Sequence, residues 1–364
     1  MALDRNRAIQ ISAAAKEVDY DTAQNISDRI YIAGGSIPQE VVQVISDADM
    51  IGGNEEAGDQ EVFAKSGRFD FSIPRVKPNP LVAFGAFGLG VIATAAADSG
   101  SAASAVKQHA CTPIDNDGSC NSLTLENWKT DAVKTKMTGG LVNTLGLSVA
   151  RGANRFVSLS VGMIFSGSTA AAGSEITEEK AETQLTASSA GAFLSTTVTA
   201  AGKATAGNRT QTLATGTSDL AGTPVDISSS LRSMDWQYSN GINEEDNYRI
   251  GGGLVLSAND RQGRSQTCTI AIDYVDDTYI TAFKAQTQYA FQLIVRGAQG
   301  LAPDTGYYHG FSLLLPIVKF ANVEIQEQGG RLVNVITMAV LQDPAGVHKS
   351  CYLDVFNSTA AYMA

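Results

Sequence analysis

The sequence predicts a mainly β protein, and three features support this prediction. Apolar residues alternate with polar ones along several segments, as Met234, Trp236 and Tyr238 do with the residues between them, and this period of two is typical of half-buried strands. Glycine is abundant (35 residues) and only 17% of residues are charged, which suits closely packed strands and turns. Turn sequences such as Asn240-Gly241 separate the alternating segments. We therefore expect antiparallel strands with one apolar face and one small or polar face.

The composition divides the chain into three parts. Residues 1–65 have several glycine turns and only short strand-like pieces, at Arg29 to Ala33 and Val41 to Ile45, so we predict an extended N-terminal arm. Residues 66–165 and 231–364 are predicted to form one β domain. Residues 166–230 are rich in Ala, Thr, Ser and Gly with few large apolar residues, and we interpret them as an insertion, a long hairpin with loops.

Two helices are predicted within this β framework. The apolar segment from Leu81 to Ala97 follows Pro80, a residue that favours the first turn of a helix. At about 17 residues the segment is at the lower margin for a membrane span, and we favour a buried helix that packs on a sheet. A second, short helix is predicted from Asp277 to Gln286, with Asp277 or Thr278 as its N-cap.

Two hairpins are the clearest elements of the sequence. The first runs from Leu141 to Phe165, and the second lies between Met234 and Val275. In both, the residues that alternate with the apolar side chains are small or polar, so we predict that the hairpins share one sheet with a common solvent face. The candidate residues on that face are Thr144, Ser148, Ser158, Ser160, Thr267, Thr269 and Asp273.

No catalytic, metal-binding or nucleotide-binding motif is recognisable. The three histidines are widely separated, and HExxH, paired CxxC, GxSxG and Walker patterns are missing. We interpret the four cysteines as buried free thiols, although pairing of Cys111 with Cys120 stays open. The sequence therefore predicts a protein that is not an enzyme and uses no cofactor or metal.

The chain is acidic, with a formal net charge of -11. Such a chain is repelled by DNA phosphates and by anionic membranes, and its first residues are too polar for a secretory signal peptide. The acidic cluster Glu244, Glu245 and Asp246 and the pair Asp276 and Asp277 have two interpretations: they are solvated turn charges, or some of them line a surface that repels phosphate.

The chain contains, in succession, the segments SGRFDFSIPRVKPNPLVAFGAFGLG, GGLVNTLGLSVARGANRFVSLSVGMIFSG, SLRSMDWQYSNGINEEDNYRIGGG and CTIAIDYVDDTYITAFKAQ. This order of patterned segments resembles the tail tube (major tail) proteins of long-tailed bacteriophages. The resemblance covers roughly Gly67 to Gly167 and Leu231 to Asp343. The N-terminal arm and the insertion depart from it.

The resemblance implies a β-sandwich or barrel with a flanking α-helix. It implies assembly into hexameric rings that stack into a hollow tail tube, a conduit for genome ejection. Its partners are then further copies of itself, other tail proteins at the tube ends and genomic DNA that passes without specific binding, with no membrane. Its location is the virion tail, after assembly in the host bacterial cytoplasm.

The resemblance also gives the candidate residues a role. The small and polar face lines the lumen, the acidic cluster Glu244 to Asp246 is a lumen rim or a ring contact, and the insertion lies on the outer or inter-ring surface. A second hypothesis is a surface-exposed β adhesin or binding module without tube assembly, which predicts a monomer or small oligomer.

Overall fold

The computed structural model describes residues 8–33, 38–46, 60–96, 105–115, 119–128, 134–151, 155–171, 175–197, 218–248, 255–256, 258–299 and 306–364. Two α-helices, α1 (Pro78–Leu89) and α2 (Thr278–Lys284), lie among the strands of these ranges. The strands of the first half are β1 (Ala8–Ile11), β2 (Asp28–Tyr31), β3 (Gln39–Ser46), β4 (Gln60–Ile73), β5 (Gly90–Ala96), β6 (Lys107–Pro113), β7 (Leu123–Trp128), β8 (Lys134–Ala150), β9 (Ser158–Phe165) and β10 (Gly167–Ala170). Those of the second half are β11 (Ala190–Ser195), β12 (Val225–Asp226), β13 (Leu231–Ser239), β14 (Ser265–Asp273), β15 (Gln288–Gln299), β16 (Tyr308–Gln328), β17 (Arg331–Val340) and β18 (Tyr352–Asn357).

The predicted pairing of the two hairpins is confirmed. Strand β13 pairs with β14 on one side and with β8 on the other, and β8 pairs with β9. Further pairings extend this set to β3, β4, β9, β8, β13, β14, β17 and the second half of β16, in that order, which we call the plain sheet. One of its faces carries the apolar side chains and packs on the core, as the alternation predicted.

The other large set of strands forms a second sheet, which we call the covered sheet. Its strand order is β5, β6, β18, the first half of β16, β15, β11 and β12. The two sheets are joined because β16 is long and changes partners midway, from β15 and β18 to β17. All these pairings are antiparallel, and the fold is mainly β and sandwich-like without closing into a barrel. One apolar cluster with members on both sheets, among them Trp236, Phe291 and Leu353, forms the core.

Helix α1 contacts both sheets and is completely buried. All twelve of its residues are buried, and it contacts β8 of the plain sheet and β5, β6 and β18 of the covered sheet. Its glycines allow this close approach, because a Cβ at Gly85 would lie 2.9 Å from Leu353 Cδ2 and one at Gly88 would lie 3.1 Å from Val142 Cγ1. The predicted N-terminal proline is also found, since Pro78 begins the helix and Pro80 follows in its first turn. The predicted extent to Ala97 is wrong, because Gly90 adopts a left-handed conformation that ends the helix at Leu89, and Gly90–Ala96 form β5.

The described part of the predicted N-terminal arm is packed against the body. Strand β1 pairs with β2 and with β7, and Ile9, Ile11 and Ile30 are buried in the main core. Strand β3 joins the plain sheet through β4. The short strand pieces predicted near Arg29 and Val41 are therefore confirmed, and each of them has a partner strand.

The described parts of residues 166–230 add to the body in separate places. Strand β10 pairs with β8, whereas β11 pairs with β15 and with β12. Leu220 packs with Ala290, Leu314 and Tyr352, which lie on the face of the covered sheet that points away from the core. Residues 172–174 and 198–217 of the predicted insertion lie outside the described residues.

Candidate functional site

The solvent face of the plain sheet, which we call the plain face, is built from small and polar side chains in rows that cross the strands. Directly paired residues of antiparallel strands point to the same side, so the registers define these rows. One row consists of Ser72, Ser160, Gly146, Gln237, Thr267, Ala339 and Lys319. The next consists of Ser158, Ser148, Asp235, Thr269, Thr337 and Asn322. The residues that alternate with these rows, such as Leu147, Trp236 and Cys268, are completely buried.

All seven candidate residues from the hairpins lie on this one face. Thr144, Ser160 and Thr267 are exposed, and Ser148, Ser158, Thr269 and Asp273 are half-buried. Sequence reasoning left out Asp235 and Gln237, although their alternation with Met234, Trp236 and Tyr238 was the signal that could have found them. It also missed the contributions of β16 and β17, Asn322 and Thr337, which only the register reveals.

The face is closely fitted because two glycines leave room for their neighbours. A Cβ at Gly146 would lie 2.3 Å from Ser160 Oγ, and one at Gly162 would lie 2.3 Å from Thr144 Oγ1. Gln237 Nε2 donates to Asp235 Oδ1 over 2.7 Å within the same surface. The plain face therefore presents a level layer of short side chains that satisfy part of their hydrogen bonding among themselves.

Asp273 is part of an ion pair, so it is not the free acidic group that the sequence suggested. Arg232 Nε donates to Asp273 Oδ1, and Arg232 Nη1 donates to the carbonyl of Gln328 over 3.0 Å. A register shift between Leu231 and Ser233 surrounds Arg232. Pairing across this irregularity cannot be inferred from alternation alone, which is why the sequence did not reveal it.

The described part of the plain face carries charges of both signs. Asp70, Asp235 and Glu324 are exposed on it, and Arg68 lies next to Asp70 along β4. Asn322 and Gln326 donate to the Glu324 carboxylate, which lowers the pKa of that group. The described part of the face is thus polar, with short side chains and the Asp235 carboxylate at its centre and further charges toward its margins, and no continuous basic stripe that would hold phosphate crosses that part.

The acidic cluster lies at the end of the plain sheet where β13 ends. Ser66 Oγ donates to Glu244 Oε2 over 2.8 Å, and Arg68 Nε lies 3.7 Å from Glu244 Oε1. Asp246 is exposed and accepts from Asn243 Nδ2 over 3.1 Å. The side chain of Glu245 lies outside the described residues, although its backbone forms a 3₁₀ turn with Asp246 and Asn247.

Gly241 allows two backbone segments to approach closely at this end of the sheet. Gly241 has a φ of +61°, and a Cβ there would lie 2.1 Å from the carbonyl oxygen of Gly263. We expect Gly241→Ala to lower the free energy of unfolding by about 2–4 kcal/mol, because the left-handed backbone and the backbone clash both oppose the methyl group. Urea unfolding followed by circular dichroism measures this effect.

Gly329 provides the matched control for that substitution. It has a φ of +62°, but nothing lies within 4 Å of a Cβ built there. Gly329→Ala should cost only the conformational part, about 1–2 kcal/mol. Equal losses in the two variants would show that the contact with Gly263 has no energetic weight.

Several ionisable groups are buried in the described part of the fold. His109 is fully buried, with Thr94 Oγ1 2.9 Å from its Nδ1 and Asn357 Oδ1 3.0 Å from its Nε2, and burial lowers its pKa to about 4. All four cysteines are free and buried, as the sequence predicted, and burial raises the pKa of the Cys111 thiol.

Within the described ranges, no three His, Cys, Asp or Glu side chains are placed to share a metal ion. Neither helix described above has the length and hydrophobicity that a bilayer span requires.

A broad, close-fitted face of short polar side chains on an antiparallel sandwich is a surface of the kind that a structural protein offers to its neighbours. The phage tail tube protein family model matches residues 14–331 of the 364 residues, and the chain belongs to this family. It is therefore a structural protein of the phage tail. No individual curated protein matches the chain at a significant level.

Proposed function

We propose that this protein assembles into hexameric rings that stack into a hollow tail tube, and that the plain face lines the lumen through which the genome is ejected. The observation that carries the proposal is the plain sheet itself, a wide polar face bounded by two strand edges that differ from each other. Assembly would take place in the host cytoplasm, with other tail proteins at the tube ends. The number six comes from the family resemblance.

The two edges support a ring in which each subunit contacts the next. Among the described strands, β3 pairs only with β4, and β16 from Asn322 onward pairs only with β17. Unpaired edges favour pairing with another chain. Because the two edges are different, their contact is head to tail, and such contacts form a ring when the rotation closes.

Apolar residues exposed along both edges support the same conclusion. On β3, Val41, Val42 and Val44 are 46%, 45% and 53% exposed. At the far end of the β16–β17 hairpin, Ile325 and Leu332 are 44% and 51% exposed. Burial of these side chains between neighbouring subunits would stabilise the ring by about 25 cal/mol for each Å² of apolar surface removed from water.

The plain face suits a lumen that moving DNA must not bind. The side chains of its central rows are mostly those of Ser, Thr, Asn and Gln, with Asp235 at the centre and Lys319 at the β16 edge, so the attraction that comes from counterion release is weak there. Because Asp273 is paired with Arg232, the plain face is less acidic than the sequence suggested. The short side chains of the central rows are therefore the main support for a lumen surface.

Thiol labelling of assembled tubes tests the placement of the plain face. Because the native cysteines are buried, a cysteine introduced by Ser160→Cys is the accessible one on that face. We expect a polyethylene glycol maleimide too large to enter the tube to modify this variant at least about tenfold more slowly in tubes than in unassembled protein.

Val225→Cys is the matched control, because Val225 is 60% exposed on β12 of the covered sheet, and it should react at similar rates in both states. Equal protection of the two positions, or none at Ser160→Cys, would remove the plain face from the lumen. Electron micrographs of purified protein that contain neither rings nor tubes would favour the adhesin alternative instead.

A further inference from the structure

A cavity opens at one end of the sandwich, between the two sheets. Its volume is about 480 Å³, and its walls include Ser265 at the start of β14, Val340 at the end of β17, Pro113 at the end of β6 and the segment before β18. A cavity of this size accommodates several side chains of another molecule. It lies where the strands of the plain sheet end, so it opens along the strand direction.

The described walls of this cavity contain more basic than acidic side chains. Arg264 and Lys349 line it together with His348, and Asp115 is the one acidic residue among the described wall residues. Arg264 Nη1 donates to the carbonyl of Ile114 over 2.6 Å, which fixes the guanidinium in the wall. Lys349 pairs with the carboxylate of Asp115, and this pairing lowers the pKa of Asp115. The pair shows that a carboxylate reaches the lysine from the solvent side, because the Asp115 side chain is 80% exposed.

An acidic turn lies at the opposite end of the same strand. Strand β14 begins at Ser265 in the cavity wall and ends at Asp273, and the turn Val275, Asp276 and Asp277 follows it before α2. Val275 is 81% exposed, and both aspartates are exposed. Asp277 accepts from Tyr274 Oη over 3.0 Å, which orients its carboxylate, while Asp276 accepts from the backbone N–H of Thr278.

The positions of the cavity and the turn match the needs of stacking. A strand of nine residues spans about 30 Å, so the two features lie on opposite ends of the subunit along β14. Two different surfaces at opposite ends form a head-to-tail contact, which repeats without limit when it does not close. Arg264 and Lys349 in the cavity and the two aspartates of the turn are complementary in charge, and the acidic cluster at Glu244 and Asp246 lies beside the cavity at the same end of the plain sheet.

We infer that the basic cavity at Arg264 and Lys349 receives the acidic turn at Asp276 and Asp277 from a subunit of the next ring. The inference rests on the proposed ring and tube function and adds the contact between rings. A single exposed ion pair is weak, but each subunit of a ring repeats the contact, so the contributions of one ring act together.

Two charge reversals test this contact. Asp277→Lys places a cation on the turn and keeps the cavity, whereas Lys349→Glu places an anion in the cavity and keeps the turn. Each variant alone brings like charges together at every contact between rings. We expect each to form rings with at least about a tenfold smaller fraction of protein in tubes, measured by sedimentation and electron microscopy.

An equimolar mixture of the two variants gives the decisive result. In alternating rings the introduced lysine meets the introduced glutamate, and the native Asp277 of one variant meets the native Lys349 of the other. We therefore expect the mixture to place at least about tenfold more protein in tubes than either variant does alone. A defect within a single subunit would not be repaired by mixing.

Glu178→Lys is the control for the change in net charge, because Glu178 is exposed in a segment that belongs to neither end of β14. This variant should form tubes as the native protein does. A native fraction of tubes from either reversal alone, or a mixture that stays as rings, would overturn the inference while native tubes uphold the proposed function. Native protein without rings or tubes would overturn both. Circular dichroism establishes that each variant is folded.

Discussion

Trp236→Ala is expected to lower the free energy of unfolding by about 3–5 kcal/mol, as the removal of a large buried aromatic side chain does. Trp236 lies at the centre of the plain sheet and is completely buried, and it is paired with Leu147 on β8 and with Cys268 on β14. A loss of this size is a large part of the stability of a typical domain. We therefore expect the variant to yield no tubes, and urea unfolding followed by circular dichroism measures the loss.

Trp236→Phe is the matched control for this substitution. The indole Nε1 of Trp236 is buried and has no hydrogen-bond partner in the described structure, so phenylalanine removes an unsatisfied donor and keeps most of the apolar contact. We expect a loss below about 2 kcal/mol and native tubes. A loss in Trp236→Phe as large as that in Trp236→Ala would mean that the indole N–H has a partner and that the cavity explanation is wrong.

The plain sheet could be predicted from the sequence because its information is local. Alternation in β13 and β14 identifies the strands, and a period of two then decides which side chains share a face, as it did for Ser158 and Ser160. The strong hairpin signals also made the pairing of β8 with β9 predictable. A face is thus predictable wherever neighbouring residues alone decide it.

Features that depend on long-range register could not be predicted in this way. Asn322 and Thr337 complete a row of the plain face because β16 changes partners midway and contains a register shift after Phe320. Arg232 reaches Asp273 across another shift. The basic cavity combines Pro113, Arg264 and Lys349, which are far apart in the sequence. Their proximity follows from the packing of two sheets, and no single segment of sequence encodes it.

The same limit applies to the strap, residues 175–185, which sequence reasoning treated as part of a surface insertion. The strap lies against α1 and the N-terminal strands through ion pairs, with Lys77 Nζ 2.6 Å from Glu179 Oε2 and Lys180 Nζ 2.7 Å from Asp28 Oδ1. Leu185 at its end is buried in the main core. Its few apolar residues gave no signal of this attachment, because charged groups make most of the contacts.

Stability should fall as the pH rises because of one carboxyl group of the strap. The backbone N–H of Asn79, in the first turn of α1, donates to Glu182 Oε2 over 2.6 Å. Burial raises the pKa of Glu182 from 4.5 to about 7, although the Asn79 N–H and Lys180 act against this rise. The folded protein therefore keeps a proton that the unfolded chain releases. The contribution of Glu182 is fully present below pH 4.5 and is lost as the pH rises to about 7, a loss of up to ~3 kcal/mol.

Glu182→Gln should remove this dependence, because the amide oxygen still accepts from Asn79 and carries no charge to bury. We expect the variant to be more stable than the native protein at pH 8 by about 1–3 kcal/mol and equal to it near pH 4.5. Urea unfolding at a series of pH values measures the difference. His109 acts in the opposite direction, because its depressed pKa makes stability fall as the pH drops from 6.5 toward 4. This contribution is the same in the variant and in the native protein, so comparing the two at each pH cancels it.

Glu178→Gln controls for the loss of a carboxylate from the same strap, because the Glu178 side chain is exposed, and this variant should be as stable as the native protein at pH 8. Two outcomes would contradict the argument. A difference between Glu182→Gln and the native protein that is constant across the pH range would show that Glu182 acts only as a hydrogen-bond acceptor. A variant that is less stable at pH 8 would show that the Glu182 carboxylate, through Lys180 and the start of α1, stabilises the fold in its charged form despite burial.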